Sequence, residues 1–286
     1  MALVAVASDK GAPGVTTASV VLAAVWPRPV LLAECDPAGG DLLYRFPAAD
    51  GGRLDPGRGL LSLAVAARRG LRPEQVWEHT QTLRGGLALL AGVGTAEQGA
   101  GLDPLWGPVG AVLAQLPQGD VIADCGRVGM DGPPHDLLAQ AAVVVLLTRD
   151  DLGEVVRLRE RVPALAAALD RRDRMSTTIG VVVIAGHKRF HAALAEVGGA
   201  LGHGKGLVNV TGGLAYDPRA ARQLRGEWGS RLDKSLLVRT ARDVAGQLAG
   251  PLPALSMPVS RAARSPANQP GRGRHAGRAA GNGGRG

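Results

Sequence analysis

Residues 3–17 read Leu3-Val4-Ala5-Val6-Ala7-Ser8-Asp9-Lys10-Gly11-Ala12-Pro13-Gly14-Val15-Thr16-Thr17. The first five form a continuous apolar run, which suits a strand buried on both faces. A Gly-rich loop follows, and the apolar spacing over Thr16–Val25 predicts a helix behind it. A strand, a loop of this kind and a helix N-terminus make an anion cradle, because first-turn N–H groups have no intrahelical acceptor and the helix dipole adds partial positive charge. Gly11 and Gly14 let the backbone close around a phosphate without a Cβ in the way. Thr16 and Thr17 supply hydroxyls that either cap N–H groups or ligate Mg²⁺. The usual phosphate loop is GxxxxGK[ST]. Here Val15 stands at its lysine, so an ordinary Gly-Pro turn capped by Thr16 is the other reading of the same residues.

Outward from this stretch, apolar runs alternate with helical patterns. Strands are predicted at Leu3–Ala7, Val30–Ala33, Leu87–Ala91, Val121–Ala123, Ala142–Leu147, Ile179–Ala185 and Leu207–Val210. Helices are predicted at Thr16–Val25, Leu60–Arg69, Leu105–Leu116, Asp151–Leu169, Phe190–Leu201, Asp217–Arg225 and Ser235–Leu248. That alternation predicts an α/β fold with a doubly wound, mostly parallel sheet and helices on both faces. In such sheets a ligand sits at the carboxyl ends of the strands. Two of those ends carry acids: Glu34-Cys35-Asp36 after the second strand, and Asp124 within Asp120-Val121-Ile122-Ala123-Asp124-Cys125-Gly126. Glu34 and Asp36, two apart, share a face of an extended strand. An acid at the end of a buried strand is costly unless it meets a cation or donors. Solvated carboxylates that simply end a strand are the plainer alternative for the first pair.

The loop resembles the deviant Walker A of the ParA/MinD family, KGGxGK[ST][ST]. Lys10 falls on the signature lysine, and Gly11, Gly14, Thr16 and Thr17 match. Ala12 replaces the second glycine and Val15 the P-loop lysine. The segment Leu31–Leu42 is similar to that family's strand ending in D-x-D, followed by small residues and Asp-Leu. Asp120–Gly126 is similar to its Walker B, and Gly126-Arg127-Val128-Gly129 resembles a switch loop. Leu214-Ala215-Tyr216-Asp217-Pro218 is similar to its segment beside the adenine after the last strand, although an Asp N-cap with Pro at the first helical position explains Asp217-Pro218 without a base. The resemblance spans roughly residues 2–250 and implies ATP and Mg²⁺ as cofactors. Lys10, Gly11, Ala12, Pro13, Gly14, Val15, Thr16 and Thr17 would cradle the phosphates, with Tyr216 and Asp217 at the base. Thr16, Glu34 and Asp124 would hold or support the metal, and Asp36 would orient the attacking water. Lys10 would reach the partner's nucleotide in a sandwich homodimer.

A P-loop lysine at contact distance contributes about 4 kcal/mol of gross attraction to the phosphates at an effective dielectric of ~20. Val15 supplies none of it, so Lys10 is the main cationic side chain expected, and tight binding would depend on dimerisation. Two functional readings follow. One is a weak ATPase whose MgATP-dependent dimer recruits a protein partner and positions cellular cargo, as in chromosome or plasmid partitioning, division-site placement or assembly of surface machinery. The other is a pseudo-ATPase adaptor that binds nucleotide poorly.

The chain has 286 residues, 45% hydrophobic and 20% charged, which excludes an intrinsically disordered chain. No run of about 18 uncharged apolar residues occurs, so no transmembrane segment is expected, and the short N-terminal run without a basic region is unlike a signal peptide. A cytoplasmic protein is the expectation. Two cysteines, Cys35 and Cys125, make no disulfide framework. They read as small buried residues or, if neighbours, as a thiol pair over the phosphate site. His187 and His191 lack an evident third metal ligand. The net charge of +8 sits in one place: residues 251–286 hold six arginines and no acid, and residues 1–250 balance at +2. The domain is therefore expected at 1–250, followed by a disordered Gly/Pro/Arg-rich tail at 251–286. That tail would contact DNA or anionic lipid nonspecifically, or remain solvated. The last helix, Ser235–Leu248, has core-like spacing and is expected to pack on the body rather than on a membrane.

Overall fold

The computed structural model describes residues 1–9, 13–129, 132, 134–170, 177–202, 208–225 and 231–253. Its strands are β1 (Leu3–Ser8), β2 (Val30–Glu34), β3 (Gln81–Thr82), β4 (Ala88–Leu90), β5 (Asp120–Arg127), β6 (Val143–Arg149), β7 (Thr178–Ala185) and β8 (Val208–Ala215). They form one sheet in the order β3-β4-β2-β5-β1-β6-β7-β8. Every pairing is parallel except that of β3 with β4. The helices are α1 (Val15–Ala24), α2 (Leu42–Arg45), α3 (Leu60–Ala67), α4 (Ala96–Ala100), α5 (Trp106–Ala114), α6 (Pro134–Leu138), α7 (Leu152–Asp170), α8 (Phe190–Leu201), α9 (Pro218–Gln223) and α10 (Leu236–Ala249). This is the doubly wound α/β fold expected from the alternation of strand and helix patterns.

The sheet separates two cores. Alternation along β1 sends Leu3, Ala5 and Ala7 into a layer with α3, α5, α6, α7 and α8. Val4 and Val6 face the opposite layer, with α1, α9 and α10. Both faces are covered, which is why β1, β5 and β6 read as continuous apolar runs. The α10 helix buries Leu237, Val238, Ala241, Val244, Ala245 and Leu248 against that second layer. The Ser235 side chain caps it by accepting the Val238 N–H at 3.2 Å. The helix packs on the body, as its spacing predicts. No helix among the described residues is long and apolar enough to cross a membrane.

Several boundaries differ from the sequence reading. β8 runs on to Ala215, so Leu214 and Ala215 end the last strand instead of following it. A register shift between Val181 and Val182 of its partner β7, opposite the glycines Gly212 and Gly213, interrupts the apolar pattern that would have shown this. β3, α2, α4 and α6 are too short to leave a periodic signal. Leu207 and residues 254–286, most of the expected tail, lie outside the described residues.

The amino end of the sheet is tied together by Asp120, which is fully buried. Its carboxylate accepts the Ala2 N–H at 3.0 Å and the Trp26 indole N–H at 2.9 Å. It also pairs with the Arg28 guanidinium at 2.7 Å. Removing one partner of such an arrangement leaves buried donors and a charge uncompensated, at about 3–5 kcal/mol. Asp120→Ala is expected to lower the unfolding free energy from urea titration by that amount with an unchanged denaturant slope; a loss below ~1 kcal/mol would contradict the account.

Candidate functional site

The carboxyl ends of β1, β2 and β5 converge around the N-terminus of α1. Lys10, Gly11 and Ala12 lie outside the described residues; Pro13 to Thr17 are placed. Gly14 takes a left-handed conformation, φ 94° and ψ 46°, at the start of α1, which a Cβ would strain. Its carbonyl accepts the Ala18 N–H at 2.9 Å. No side chain caps α1, so Thr16 and Thr17 do not serve as its cap and their hydroxyls are open to other partners.

Thr16 meets Asp124. The Asp124 carboxyl is pushed up to about 6: burial raises it most, side-chain hydrogen bonding with Thr16 and the Gly126 N–H work against the rise, and Asp36 and Glu34 add to it. The Gly126 N–H reaches Asp124 Oδ1 at 3.2 Å. Gly126 itself has φ +58°, and a Cβ there would lie 1.9 Å from an Asp36 oxygen. Only glycine therefore lets the end of β5 approach Asp36 so closely. Asp36 accepts the Ala38 N–H at 2.8 Å. Burial raises its pKa, and the Ala38 N–H and the Arg127 charge work against that rise.

Glu34 has a different set of partners from the metal shell that the resemblance implies. It is 2% exposed. One carboxylate oxygen accepts the Asp41 and Leu42 N–H groups, at 2.9 and 3.1 Å. The other accepts the Gly92 N–H at 2.9 Å. Burial raises its pKa despite these three donors. In this arrangement Glu34 clamps the loop carrying Asp36 to the loop after β4, and it holds the acid that faces the cleft only indirectly.

Two adjoining cavities share Pro13, Gly14, Thr17 and Arg225. One, of about 300 Å³, is lined by Pro13–Thr17, Asp36, Arg45, Gly126 and Arg127. The other, of about 210 Å³, runs along Ile184, Leu214, Tyr216, Asp217 and Ala221, with Arg149 at its rim. Tyr216 is exposed, and Asp217 Oδ1 caps α9 by accepting the Ala220 N–H at 3.0 Å. The cap expected at Asp217 is thus present, and both residues line the more apolar cavity. Of the arginines around these cavities, Arg127 alone falls in a segment singled out from sequence, the Gly126–Gly129 loop that resembles a switch. The arginines come from α2, β5, β6 and the end of α9, and no local motif joins them.

Arg161 of α7 fixes the rim from below. It is 7% exposed, pairs with Asp9 at 3.0 Å and donates to the Gly129 carbonyl. It thereby ties the loop after β1 to the loop after β5. Cys35 and Cys125 are both buried free thiols, on the face of the sheet opposite Thr16. Burial pushes both thiols well above their ordinary range, which keeps them protonated and unreactive.

The Asp124 shift fixes a pH dependence. A carboxyl at about 6 in the folded chain and ~3.9 in the unfolded one means that the folded state binds more protons between those values. Stability from this group therefore falls as pH rises from about 4 to about 6, by up to ~3 kcal/mol. Glu34 and Asp36 shift in the same direction. In chelator and without nucleotide, Asp124→Asn is expected to gain stability relative to wild type between pH 4 and 7, read from urea midpoints. A wild-type-minus-variant difference that stays flat with pH would show the shift to be absent.

Comparison with family profiles and with curated proteins returns no match. Solved structures do match. A ParA family ATPase from Chlorobium tepidum superposes with TM-score 0.62 at 15% identity, covering 85% of this chain and 97% of the other. The MinD protein of Pyrococcus horikoshii, solved with Mg-ADP, gives 0.61 at 14%, covering 86% and 95%. Cobyrinic acid a,c-diamide synthase from Mycobacterium smegmatis, solved with ADP and magnesium, gives 0.59 at 17%, covering 87% and 94%. At these identities the likeness is one of fold, and the chain has the fold of the ParA/MinD P-loop ATPases.

Proposed function

We propose that this chain is a MgATP-dependent switch protein with slow ATP hydrolysis. The observation that carries the reading is the meeting of two cavities at Pro13–Thr17, one lined by three arginines and Asp36 beside the α1 N-terminus, the other by Ile184, Leu214, Ala215 and Tyr216 together with Arg149, Asp217 and Arg225. That is the division a nucleotide needs between phosphates and base. Two structural neighbours, the MinD and the synthase, hold ADP and magnesium, in keeping with a nucleotide site on this fold.

The donor set fits the metal nucleotide. Mg²⁺ is typically held by one or two carboxylates or hydroxyls together with phosphate oxygens and water, and Thr16 and Asp124 already stand together at the α1 N-terminus. Bound there, the metal would neutralise phosphate charge. It would also relieve the burial cost of Asp124, since a cation beside a carboxylate favours its charged form. The first-turn amides of α1 would hold the phosphates. Asp36, half-buried and lining the same cleft, would accept a hydrogen bond from the attacking water and orient it. Lys10 and a nucleotide-dependent homodimer remain part of this proposal. So do a recruited protein partner, cargo positioning and contact of the 251–286 segment with DNA or anionic lipid.

The adaptor reading has one observation in its favour: Val15 is 7% exposed and packed in the α1-side core, with no charge to offer. Turnover and oligomeric state, measured together with and without nucleotide, separate the two. The switch reading expects MgATP at 100-fold its dissociation constant to raise the midpoint of unfolding by about 5–10 °C. It also expects measurable phosphate release, which Asp36→Ala reduces about 100-fold without loss of the thermal shift. Absence of any thermal shift would leave the adaptor reading standing.

A further inference from the structure

Val15 leaves a charge vacancy in the phosphate cleft, and the surrounding chain has three guanidinium groups to meet it. Arg45, Arg127 and Arg225 line the same cavity as Pro13–Thr17, against a single lining acid, Asp36, among the described residues. They come from separate places: the last residue of α2, the last residue of β5, and the turn after α9. Arg45 is already committed, since it pairs with Asp41 one helical turn before it. Arg127 and Arg225 are exposed, and neither makes a hydrogen bond or ion pair through its side chain among the described residues. With Arg45 paired to Asp41, Arg127 and Arg225 beside the one carboxylate Asp36 leave the cavity lining net positive, which favours entry of a polyanion.

Their positions differ. Arg127 stands on the Asp36 side, where its charge acts on that carboxyl. Arg225 lines both cavities and so sits at their junction. We infer that Arg127 and Arg225 together supply the cationic contact to the nucleotide phosphates that Val15 cannot, Arg127 at the terminal phosphate and Arg225 where the phosphates meet the base side. A guanidinium suits the task, because its planar fork can bind two phosphate oxygens at once from outside the loop. A lysine at the Val15 position would reach a phosphate from within it. This rests on the nucleotide-site reading above, and it assigns the charge to residues beyond the loop motif.

The test is titration of MgATP and MgADP into the full-length wild type, Arg127→Ala, Arg225→Ala, the double Ala variant and the double Lys variant. Both side chains are exposed and unbonded, so the midpoint of unfolding without nucleotide should match wild type in every variant. Arg127→Ala is expected to weaken MgATP about tenfold and MgADP by much less, and Arg225→Ala to weaken both about tenfold. The double Ala variant should lose 100-fold or more for MgATP, while the double Lys variant stays within about fivefold of wild type. MgATP affinity within twofold of wild type in the double Ala variant would overturn the inference and leave the nucleotide site standing. Equal losses in the Ala and Lys pairs would overturn the role of charge. No binding of MgATP by wild type would remove the nucleotide reading itself.

Discussion

Asp124 lies within the buried stretch of β5, where a carboxylate has almost no water to solvate it. The rest of the site can be read as a response to that one cost. Thr16 leans on it from the first turn of α1, the Gly126 amide turns back onto it, and Asp36 and Glu34 stand close enough to raise its pKa further. A fold seeking stability alone would place an apolar residue here, since burial of a charge without full compensation opposes folding. Keeping an acid instead means that the free energy lost in the empty state becomes available when a cation arrives. The buried acid thereby converts folding cost into affinity for positive charge at one point of the sheet edge.

Such a point is useful only if the loops around it hold still, and two buried charged residues arrange this from outside the cleft. Glu34 uses both carboxylate oxygens on backbone amides of two loops. It therefore positions the stretch from Asp36 to Leu42 without facing the ligand. Arg161 works in the same way on the other side, joining Asp9 to the Gly129 carbonyl. Both are polar tethers that add to the backbone hydrogen bonds between these segments, the Gly40 N–H to the Val93 carbonyl at 2.8 Å and the Val128 N–H to the Ser8 carbonyl at 2.9 Å. Each also couples the loop after β1, or the loop after β2, to a neighbouring strand end, so displacement of one loop strains another. On the switch reading proposed above, this connectivity would carry an event at the phosphates to the surface.

How much of this was legible in the sequence follows from what each signal depends on. The continuous apolar runs of β1, β5 and β6 and the spacing within α7, α8 and α10 are local, so the doubly wound sheet and its core helices were readable residue by residue. Asp36 and Asp124 were readable because strand ends and ligand crevices coincide in such sheets. Glu34 was placed correctly on the chain, but its partners are amides near residues 41 and 92, and no spacing announces them. The end of β8 was hidden by Gly212 and Gly213, which break the apolar pattern while pairing with β7. The arginines were hardest of all: Arg127 sits in a recognisable loop, yet Arg225 lies almost a hundred residues away and meets it only through the winding of the sheet. Sequence patterns report neighbours along the chain, and this cleft is assembled from neighbours in space.

That difference bears on what the loss of a lysine at Val15 means. In the phosphate loop a lysine and the amides it accompanies belong to a single element, so charge and cradle form together as soon as the strand and helix fold. Here the cradle belongs to β1 and α1, and the free guanidinium groups belong to the ends of β5 and α9. On the proposed reading, phosphate contact would therefore depend on the relative placement of three parts of the sheet, two of which border loops leading to the surface. A chain built this way ties nucleotide affinity to the positions of its outer elements. By linkage, occupancy must then act back on those elements with the same free energy. On the proposed reading, the substitution that weakens the motif as a pattern would thus couple the pocket to the outer elements that carry Arg127 and Arg225.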